Sequence, residues 1–265
     1  MATSVVFIHG LWVHASAWQP WRDLFAEAGY TTEAPGWPGD SETVSATRLN
    51  ASRVSGHGIQ DVTDHYAALI AQLPDKPVVV GHSFGGLVAQ KLLAAGLASA
   101  AVAIDPAPIK GVKALPFAQI RSALPVLANK ANRDRAVSLS RRQFRYGFGN
   151  ALSRAESDEL FRTFTIPGPG RPIFELTGAK KDPVSPAAVE TGDPRRGPLL
   201  IVGGEKDHTI PQVVARQAAE LYGSATDTEF REIPGRGHSL VFDSGWRDVA
   251  DLALRWLAER VPAAR

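Results

Sequence analysis

One pentapeptide, Gly81-His82-Ser83-Phe84-Gly85, has the spacing of a turn that presents a serine hydroxyl for chemistry. It follows the apolar residues 77–80 and precedes residues 87–97, which have helical character. A turn between a strand and a helix must be sharp, so the serine is expected in a strained conformation beside glycines that let neighbouring chains approach. Ser83 would then lie above the carboxyl ends of the strands, where open α/β sheets bind their ligands. The pattern predicts a nucleophile, and an ordinary glycine turn is the alternative.

A serine becomes a nucleophile when a base removes its proton, and the base needs a carboxylate that fixes its tautomer. Both partners occur later in the chain. Asp207 follows an apolar run, and His238 lies in the glycine-rich segment 234–239. Ser83, Asp207 and His238 are therefore expected at the ends of three different strands. Asp105, which ends an earlier apolar run, is the alternative acid, and a packing role is the alternative for His238.

Short β-branched runs that alternate with amphipathic stretches predict the sheet that would position these residues. The predicted strands comprise residues 4–8, 31–34, 77–80, 100–104, 199–202 and 226–233. All but the last are short apolar runs, as in strands buried on both faces of a parallel sheet. We predict an α/β fold with about six mostly parallel strands flanked by helices, and a capping box at residues 16–19 that begins the first helix. One predicted helix, 211–222, joins the last two strands, so these should be neighbours, which favours Asp207 over Asp105.

Residues 110–196 contain no clear strand and are too long for an ordinary connection within a sheet. We interpret them as an inserted helical cap, so that residues 1–109 and 197–265 form the core. The insertion holds 16 Lys and Arg against 8 Asp and Glu, a net charge of +8, and the remaining 13 and 19 give −6. Arg141, Arg142 and Arg145 could steer an anionic substrate. A solvated face is the interpretation we favour, because charge runs are usually solvated.

The turn at 81–86, the order serine, aspartate, histidine and the strand end at residues 8–12 together resemble the α/β-hydrolase superfamily over the whole sheet. The resemblance implies the α/β-hydrolase fold, with a cap that shapes the substrate pocket. The chain departs from many members because its first strand begins at residue 4, which leaves no room for two leading strands. Compact plant-type esterases and hydroxynitrile lyases share this trimmed start.

The resemblance also implies an oxyanion hole, which would consist of the backbone N–H groups of Leu11 and Phe84. Trp12 and Trp37 adjoin the catalytic loops, and they are candidates for walls of the substrate pocket. A packing role is the alternative for both tryptophans. His9 and His82 adjoin the glycine motifs, and strand alternation indicates a structural role for them.

By this resemblance the protein is expected to be a serine hydrolase that cleaves a carboxylic ester or lactone through an acyl-enzyme intermediate. Amidase, thioesterase and perhydrolase activities use the same residues and stay open. Haloalkane dehalogenase and epoxide hydrolase activities would need an aspartate at position 83. Two alternatives are a hydroxynitrile-lyase-like lyase, which would need a positive side chain over the triad, and a receptor-like ligand-binding hydrolase with slow turnover.

Composition excludes several other classes of function. The chain has no cysteine, which excludes disulfides, thiolate nucleophiles and cysteine metal sites. No histidine pair has the spacing of a metal motif, so we expect neither a metal nor a cofactor. The formal charge of +2 is too balanced for a dedicated nucleic-acid binder. Without a signal peptide or a long apolar run, the protein is expected in the cytoplasm, away from membranes, with a small-molecule ester or lactone as its partner.

Overall fold

The computed structural model describes residues 2–224 and 226–261, and six strands of this part form one sheet. Two further strands of two residues each form a separate antiparallel pair. The strands are β1 (Ser4–Ile8), β2 (Thr31–Glu33), β3 (Val78–His82), β4 (Ala100–Ile104), β5 (Ala136–Val137), β6 (Gly168–Pro169), β7 (Leu199–Gly204) and β8 (Thr228–Ile233). The helices are α1 (Gln19–Glu27), α2 (Val44–Leu49), α3 (Ile59–Ile70), α4 (Phe84–Ala94), α5 (Phe117–Leu127), α6 (Arg141–Gly147), α7 (Arg154–Phe164), α8 (Arg171–Gly178), α9 (Gln212–Glu220) and α10 (Trp246–Arg260).

The large sheet has the order β2-β1-β3-β4-β7-β8, and every neighbouring pair is parallel. The predicted fold class is confirmed, and so is the prediction that the last two strands are neighbours. The bounds of β1 and β4 equal the predicted ones, and the ends of the other four strands differ from the predicted ones by at most two residues. β3 extends to His82 because His82 pairs with Ile104 of β4, and β7 extends to Gly204 because Gly204 pairs with Ile233 of β8.

The chain enters α1 differently from the prediction. Residues Ala15–Trp18 form a 3-10 helix, and the backbone N–H of Ser16 donates to the side chain of His14. The hydroxyl of Ser16 contacts the same imidazole, at 2.9 Å from Nδ1. The predicted capping box on Ser16 is therefore wrong, because Ser16 lies inside the tighter helix and His14 supplies its cap. α1 then begins at Gln19, with Pro20 in its first turn.

An aromatic cluster packs the 3-10 helix and helix α1 against β1, the strand next to the edge of the sheet. Phe7 of β1 is fully buried, and its ring centroid lies 5.1 Å from that of Trp18 and 5.3 Å from that of Phe25. Trp21 is equally buried, and its indole N–H donates to the carbonyl oxygen of Val241 at 2.8 Å. Each such side chain stabilises the fold by about 1.5–3 kcal/mol through burial alone. The cluster also links β1 to the segment that follows His238.

The segment between β4 and β7 contains helices α5 to α8 and the β5–β6 pair. The prediction of no strand there missed this pair, because two-residue strands leave no periodic signal. The segment also forms backbone hydrogen bonds with the first loop of the sheet. The N–H of Ile166 donates to the carbonyl oxygen of Trp12, and the N–H of His14 donates to that of Phe164, both at 2.9 Å. The insertion is therefore fastened across the carboxyl end of β1.

The outer limits that the sequence predicts for the core, residues 1 and 265, lie outside the described residues. Of the helices between residues 2 and 261, residue 225 aside, none is both long and apolar enough to cross a bilayer.

Candidate active site

Ser83 occupies a strained turn between β3 and α4. Its backbone has φ 57° and ψ −121°, a conformation that non-glycine residues rarely adopt. The flanking glycines are required by close packing. A Cβ atom on Gly81 would lie 2.0 Å from the carbonyl oxygen of Gly85, and one on Gly85 would lie 2.1 Å from that of Ile8. The local sequence therefore aims the serine side chain away from the sheet, over the end of the strands.

The three polar residues predicted to act together form one chain of hydrogen bonds. Ser83 Oγ lies 3.0 Å from Nε2 of His238, and Nδ1 of His238 lies 2.6 Å from Oδ2 of Asp207. All three residues are at most 3% exposed. With the ring proton on Nδ1, which donates to the carboxylate, Nε2 is free to accept the serine proton. The arrangement can deliver an activated alkoxide.

Asp207 is held in place by the turn that follows it. Its Oδ1 accepts hydrogen bonds from the backbone N–H groups of Thr209 at 2.6 Å and Ile210 at 2.8 Å. Its Oδ2 accepts from His238. Three donors therefore fix the orientation of this carboxyl group. The turn thus orients the acid from the side opposite the imidazole.

Asp105, the alternative acid, also lies beside His238. Its Oδ2 is 3.8 Å from Nδ1, beyond a hydrogen bond, and its Oδ1 accepts the backbone N–H of Gly204 at 2.7 Å. The distances favour Asp207 as the partner of the imidazole. Burial, and then the neighbouring Asp207 charge, raise the pKa of Asp105 well above its ordinary value. From the sequence the two carboxyl groups are alternatives, and it is not predicted that both lie near one nitrogen.

Two aromatic side chains enclose the imidazole of His238. The ring of Phe148, from the insertion, lies 4.8 Å away edge-on, and the ring of His82 lies 4.6 Å away on another side. His82 Nε2–H donates to the carbonyl oxygen of His238 at 2.8 Å. Burial, and then the neighbouring His238, lower the pKa of His82 well below its ordinary value, so it stays neutral. The structural role predicted for His82 therefore takes the form of support for the His238 loop.

The two backbone N–H groups predicted to form an oxyanion hole are both buried, since Leu11 is 2% and Phe84 5% exposed. Within residues 2–224 and 226–261, neither N–H has a hydrogen-bond partner. Buried N–H groups without partners are rare in folded proteins, and two beside an activated serine offer donors to a negative oxygen. Trp12, next to Leu11, has φ 68°. This second strained residue shapes the loop that presents the Leu11 amide.

The two tryptophans predicted near the pocket differ in their surroundings. Trp12 contacts the insertion, since its indole N–H donates to the carbonyl oxygen of Val137 at 2.9 Å and its ring meets Phe148 edge-on. Trp37 stacks on His9, and its indole N–H donates to the carbonyl oxygen of His9 at 2.9 Å. The backbone N–H of Trp37 also donates to Nε2 of His9. These contacts favour the packing role for Trp37.

The arginines of the basic cluster are largely paired with one carboxylate of the same insertion. Arg145 forms a hydrogen-bonded ion pair with Asp158, and Arg141 and Arg154 lie within 4.0 Å of the same carboxylate. The three arginines hold the pKa of that carboxyl below its ordinary value, with Arg145 the main cause. The guanidinium of Arg142 instead lines a surface groove of about 550 Å³. This pairing is consistent with the interpretation of the cluster as a solvated face.

One group of three side chains in the described residues brings metal-type ligand atoms together, namely His82, Asp105 and His238, within 4.8 Å. Both nitrogens of His238 already bond to Asp207 and Ser83, and Nε2 of His82 bonds to a carbonyl oxygen. The cluster therefore has the hydrogen-bonding pattern of an acid–base relay rather than of a metal centre.

Solved structures with the same architecture include three that are named as esterases or a lipase. A methylesterase, MES16, from Arabidopsis is 17% identical, with a TM-score of 0.68 over 97% of this chain and 99% of its own. A Paleococcus ferrophilus monoacylglycerol lipase is 21% identical, with a TM-score of 0.68 over 97% and 94%. Polyneuridine aldehyde esterase is 18% identical, with a TM-score of 0.64 over 97% and 99%. At these identities the likeness shows a shared fold.

The family itself is shown by a match of the sequence. A family model described as the alpha/beta hydrolase family matches residues 5–252, which is most of the chain. The strained serine turn, the parallel sheet and this match agree, and the protein belongs to the alpha/beta hydrolase family.

Proposed function

We propose that this protein is a serine hydrolase that cleaves a carboxylic ester or lactone of a small molecule through an acyl-enzyme intermediate, without a cofactor. The observation that carries the proposal is the continuous hydrogen-bond chain from Ser83 through His238 to Asp207. Three names among the similar structures, a methylesterase, a lipase and an esterase, support the choice of an ester.

In the proposed reaction, Nε2 of His238 takes the proton of Ser83 as Oγ attacks the substrate carbonyl carbon. The oxygen of the tetrahedral intermediate accepts hydrogen bonds from the N–H groups of Leu11 and Phe84. Collapse breaks the bond to the leaving alkoxide, which takes the proton from His238. A water then repeats the steps, releases the acid and regenerates Ser83. Asp207 keeps the imidazole in one tautomer throughout and stabilises its charged form.

We further propose that residues 110–196 act as a cap that shapes the acyl pocket. Its support is the contact of Phe148 with His238 and the backbone hydrogen bond from Ile166 to Trp12. Trp12 and Phe148 would then form walls of the pocket, while Trp37 supports the site through His9.

A lyase that uses the same residues is less well supported. Such an enzyme would need a positive side chain over the triad to stabilise a negatively charged leaving group. Within the described part of the chain, no lysine or arginine forms a hydrogen bond or an ion pair with Ser83 or His238. No contact of this kind therefore supports the lyase in the part of the chain that the structure describes.

The proposal is tested with p-nitrophenyl esters of short acids, lactones and a fluorophosphonate. We expect ester turnover with ping-pong kinetics, an acyl-enzyme visible in the intact mass, and one phosphonate adduct that the Ser83→Ala variant loses. Ser41→Ala is the control, since the hydrogen bonds of Ser41 in the described residues, with Thr47 and His14, involve only its backbone atoms. Equal labelling of Ser83→Ala would overturn the assignment of the nucleophile, and cyanohydrin cleavage without ester turnover would support the lyase.

A further inference from the structure

Two buried carboxyl groups converge on a single proton donor at the active site. Asp105 directly follows β4 and Asp207 follows β7, and these strands are neighbours in the sheet. Asp105 has φ 42°, in the left-handed region that non-glycine residues adopt uncommonly and aspartate more readily than most. This conformation directs its side chain toward Nδ1 of His238, which is 3.8 Å from Oδ2 of Asp105 and 2.6 Å from Oδ2 of Asp207. Only one of the two oxygens is close enough to accept the imidazole proton.

The hydrogen-bond partners of the two carboxyl groups are unequal. Asp207 accepts from three donors, whereas Asp105 accepts from one, the backbone N–H of Gly204. The side chain of Asp105 is fully buried, and its Oδ2 has no donor within hydrogen-bond distance in the described residues. An ionised oxygen buried in this way is costly. A proton on Oδ2 removes that cost, because the resulting O–H can donate to the adjacent Asp207 carboxylate.

The charged and titratable groups that face Asp105 do not supply a compensating cation. Asp207 approaches from the loop after β7, and His238 and Arg236 approach from the loop after β8. Arg236 is committed to Asp243, with which it forms a hydrogen-bonded ion pair. His82, at the end of β3, is neutral because burial lowers its pKa. One proton shared by two buried carboxyl groups is the state that such surroundings favour.

We infer that Asp105 is a neutral carboxylic acid that donates a hydrogen bond from Oδ2 to the Asp207 carboxylate, and that it is a positioning residue of the triad. The inference rests on the proposed function only for its effect on catalysis. The hydrogen bond fixes the rotamer of Asp207 on the side that the backbone amides leave free. It also withdraws part of the carboxylate charge from His238, so the imidazole remains a base over a wider range of pH.

The test compares the wild type with Asp105→Asn and Asp105→Ala. Asparagine keeps an acceptor for Gly204 and an N–H donor for Asp207, so kcat/KM should change by less than about threefold. Alanine removes both bonds, and kcat/KM should fall by about 10- to 100-fold. The acidic limb of the pH profile should stay in place for Asp105→Asn. For Asp105→Ala it should move to higher pH, because Asp207 then acts on His238 with its full charge.

Other states of Asp105 give different results. If Asp105 is ionised, both variants remove a negative charge beside His238, and the acidic limb should move to lower pH in both. If Asp105 only fills space, neither variant should move the limb, even where the melting temperature falls. Either result would overturn the inference.

Infrared spectroscopy gives a readout that needs no substrate. At pH 7 the carbonyl stretch of a protonated carboxylic acid should be present in the wild type and reduced in Asp105→Asn. The difference between the two spectra isolates Asp105 from other acids whose pKa is raised by burial, such as the half-buried Glu175 and the buried Asp243. Identical spectra would overturn the protonation. If the wild type neither hydrolyses esters nor reacts with the phosphonate, the proposed function fails, while the infrared difference still decides the state of Asp105.

Discussion

Asp207→Asn is the substitution whose effect follows most directly from the geometry. The asparagine Oδ1 can keep both hydrogen bonds from the amides of Thr209 and Ile210, so the fold of the turn is preserved. The side-chain NH₂ then faces Nδ1 of His238, 2.6 Å from the position of the present Oδ2. Two donors cannot face each other, so the imidazole proton must move to Nε2. His238 then presents a donor to Ser83 and can no longer accept its proton.

The magnitude of the loss follows from this change of tautomer. When a catalytic triad is locked in the wrong tautomer while its geometry is kept, kcat falls by about 10⁴. At about 1.4 kcal/mol for each tenfold change, the loss is roughly 5–6 kcal/mol of transition-state stabilisation. KM should change little, because Asp207 lies behind the imidazole and contacts no acyl group. The remaining activity would come from the oxyanion donors and substrate binding.

The measurement is the steady-state hydrolysis of a short p-nitrophenyl ester, with the melting temperature as a check on folding. Asp193→Asn is the matched control, since Asp193 is a loop residue whose carboxylate bonds, among the described residues, only to Arg195. This control should keep wild-type kcat. If Asp207→Asn is folded and keeps more than a tenth of kcat, Asp207 is not the acid, and the tautomer argument is refuted.

Three further predictions concern charge, pH and packing. The arginines of α6 and α7 already surround Asp158, so added salt should change kcat/KM alike for a carboxylated and a neutral ester. A fall of kcat/KM for the carboxylated ester alone would indicate that the arginines steer anionic substrates. Because the pKa of Asp105 is raised in the fold, the unfolded chain releases this proton first as the pH rises above about 4, so folding stability is lost by up to about 1.4 kcal/mol per unit. The melting temperature of Asp105→Asn relative to wild type should therefore increase between pH 5 and pH 8, and a constant difference would contradict a raised pKa. Phe148→Ala should lower the free energy of unfolding by about 3–5 kcal/mol, because the ring is 2% exposed and packs on His238, and a loss below 1 kcal/mol measured by urea denaturation would contradict tight packing there.

The convergence of the three catalytic candidates could be predicted because it depends on strand ends. The carboxyl ends of parallel strands meet at one edge, so Ser83, Asp207 and His238 are placed together by topology once the strands are identified. The Leu11 and Phe84 amides were predicted on other grounds, because the resemblance to the α/β-hydrolases implies them. Their roles in catalysis stay predictions until the variants are measured. The order of the last strands followed from one short helical connection, and the structure confirms it.

Other contacts of the site could not be predicted, because they depend on packing between distant segments. Phe148 lies in the insertion, 90 residues before His238 in the numbering, and the fold of that segment leaves no periodic signal that would place the ring on the imidazole. The meeting of Asp105 and Asp207 needs the register of β4 against β7 and a left-handed backbone at Asp105. A single aspartate with positive φ has no signature in the sequence.

The insertion contacts the proposed catalytic residues and their loops, and these contacts bear on how substrate preference could change in this fold. The carbonyl oxygen of Trp12 accepts a hydrogen bond from the N–H of Ile166. Leu11, the residue before Trp12, supplies one proposed oxyanion donor. Phe148 of the same insertion packs on the base. A substitution that reshapes the insertion for a new acyl group therefore also shifts the oxyanion loop and the imidazole. Because displacements of about 1 Å can cost roughly 100-fold in rate, changes of substrate should require compensating changes in the loop at residues 11–14.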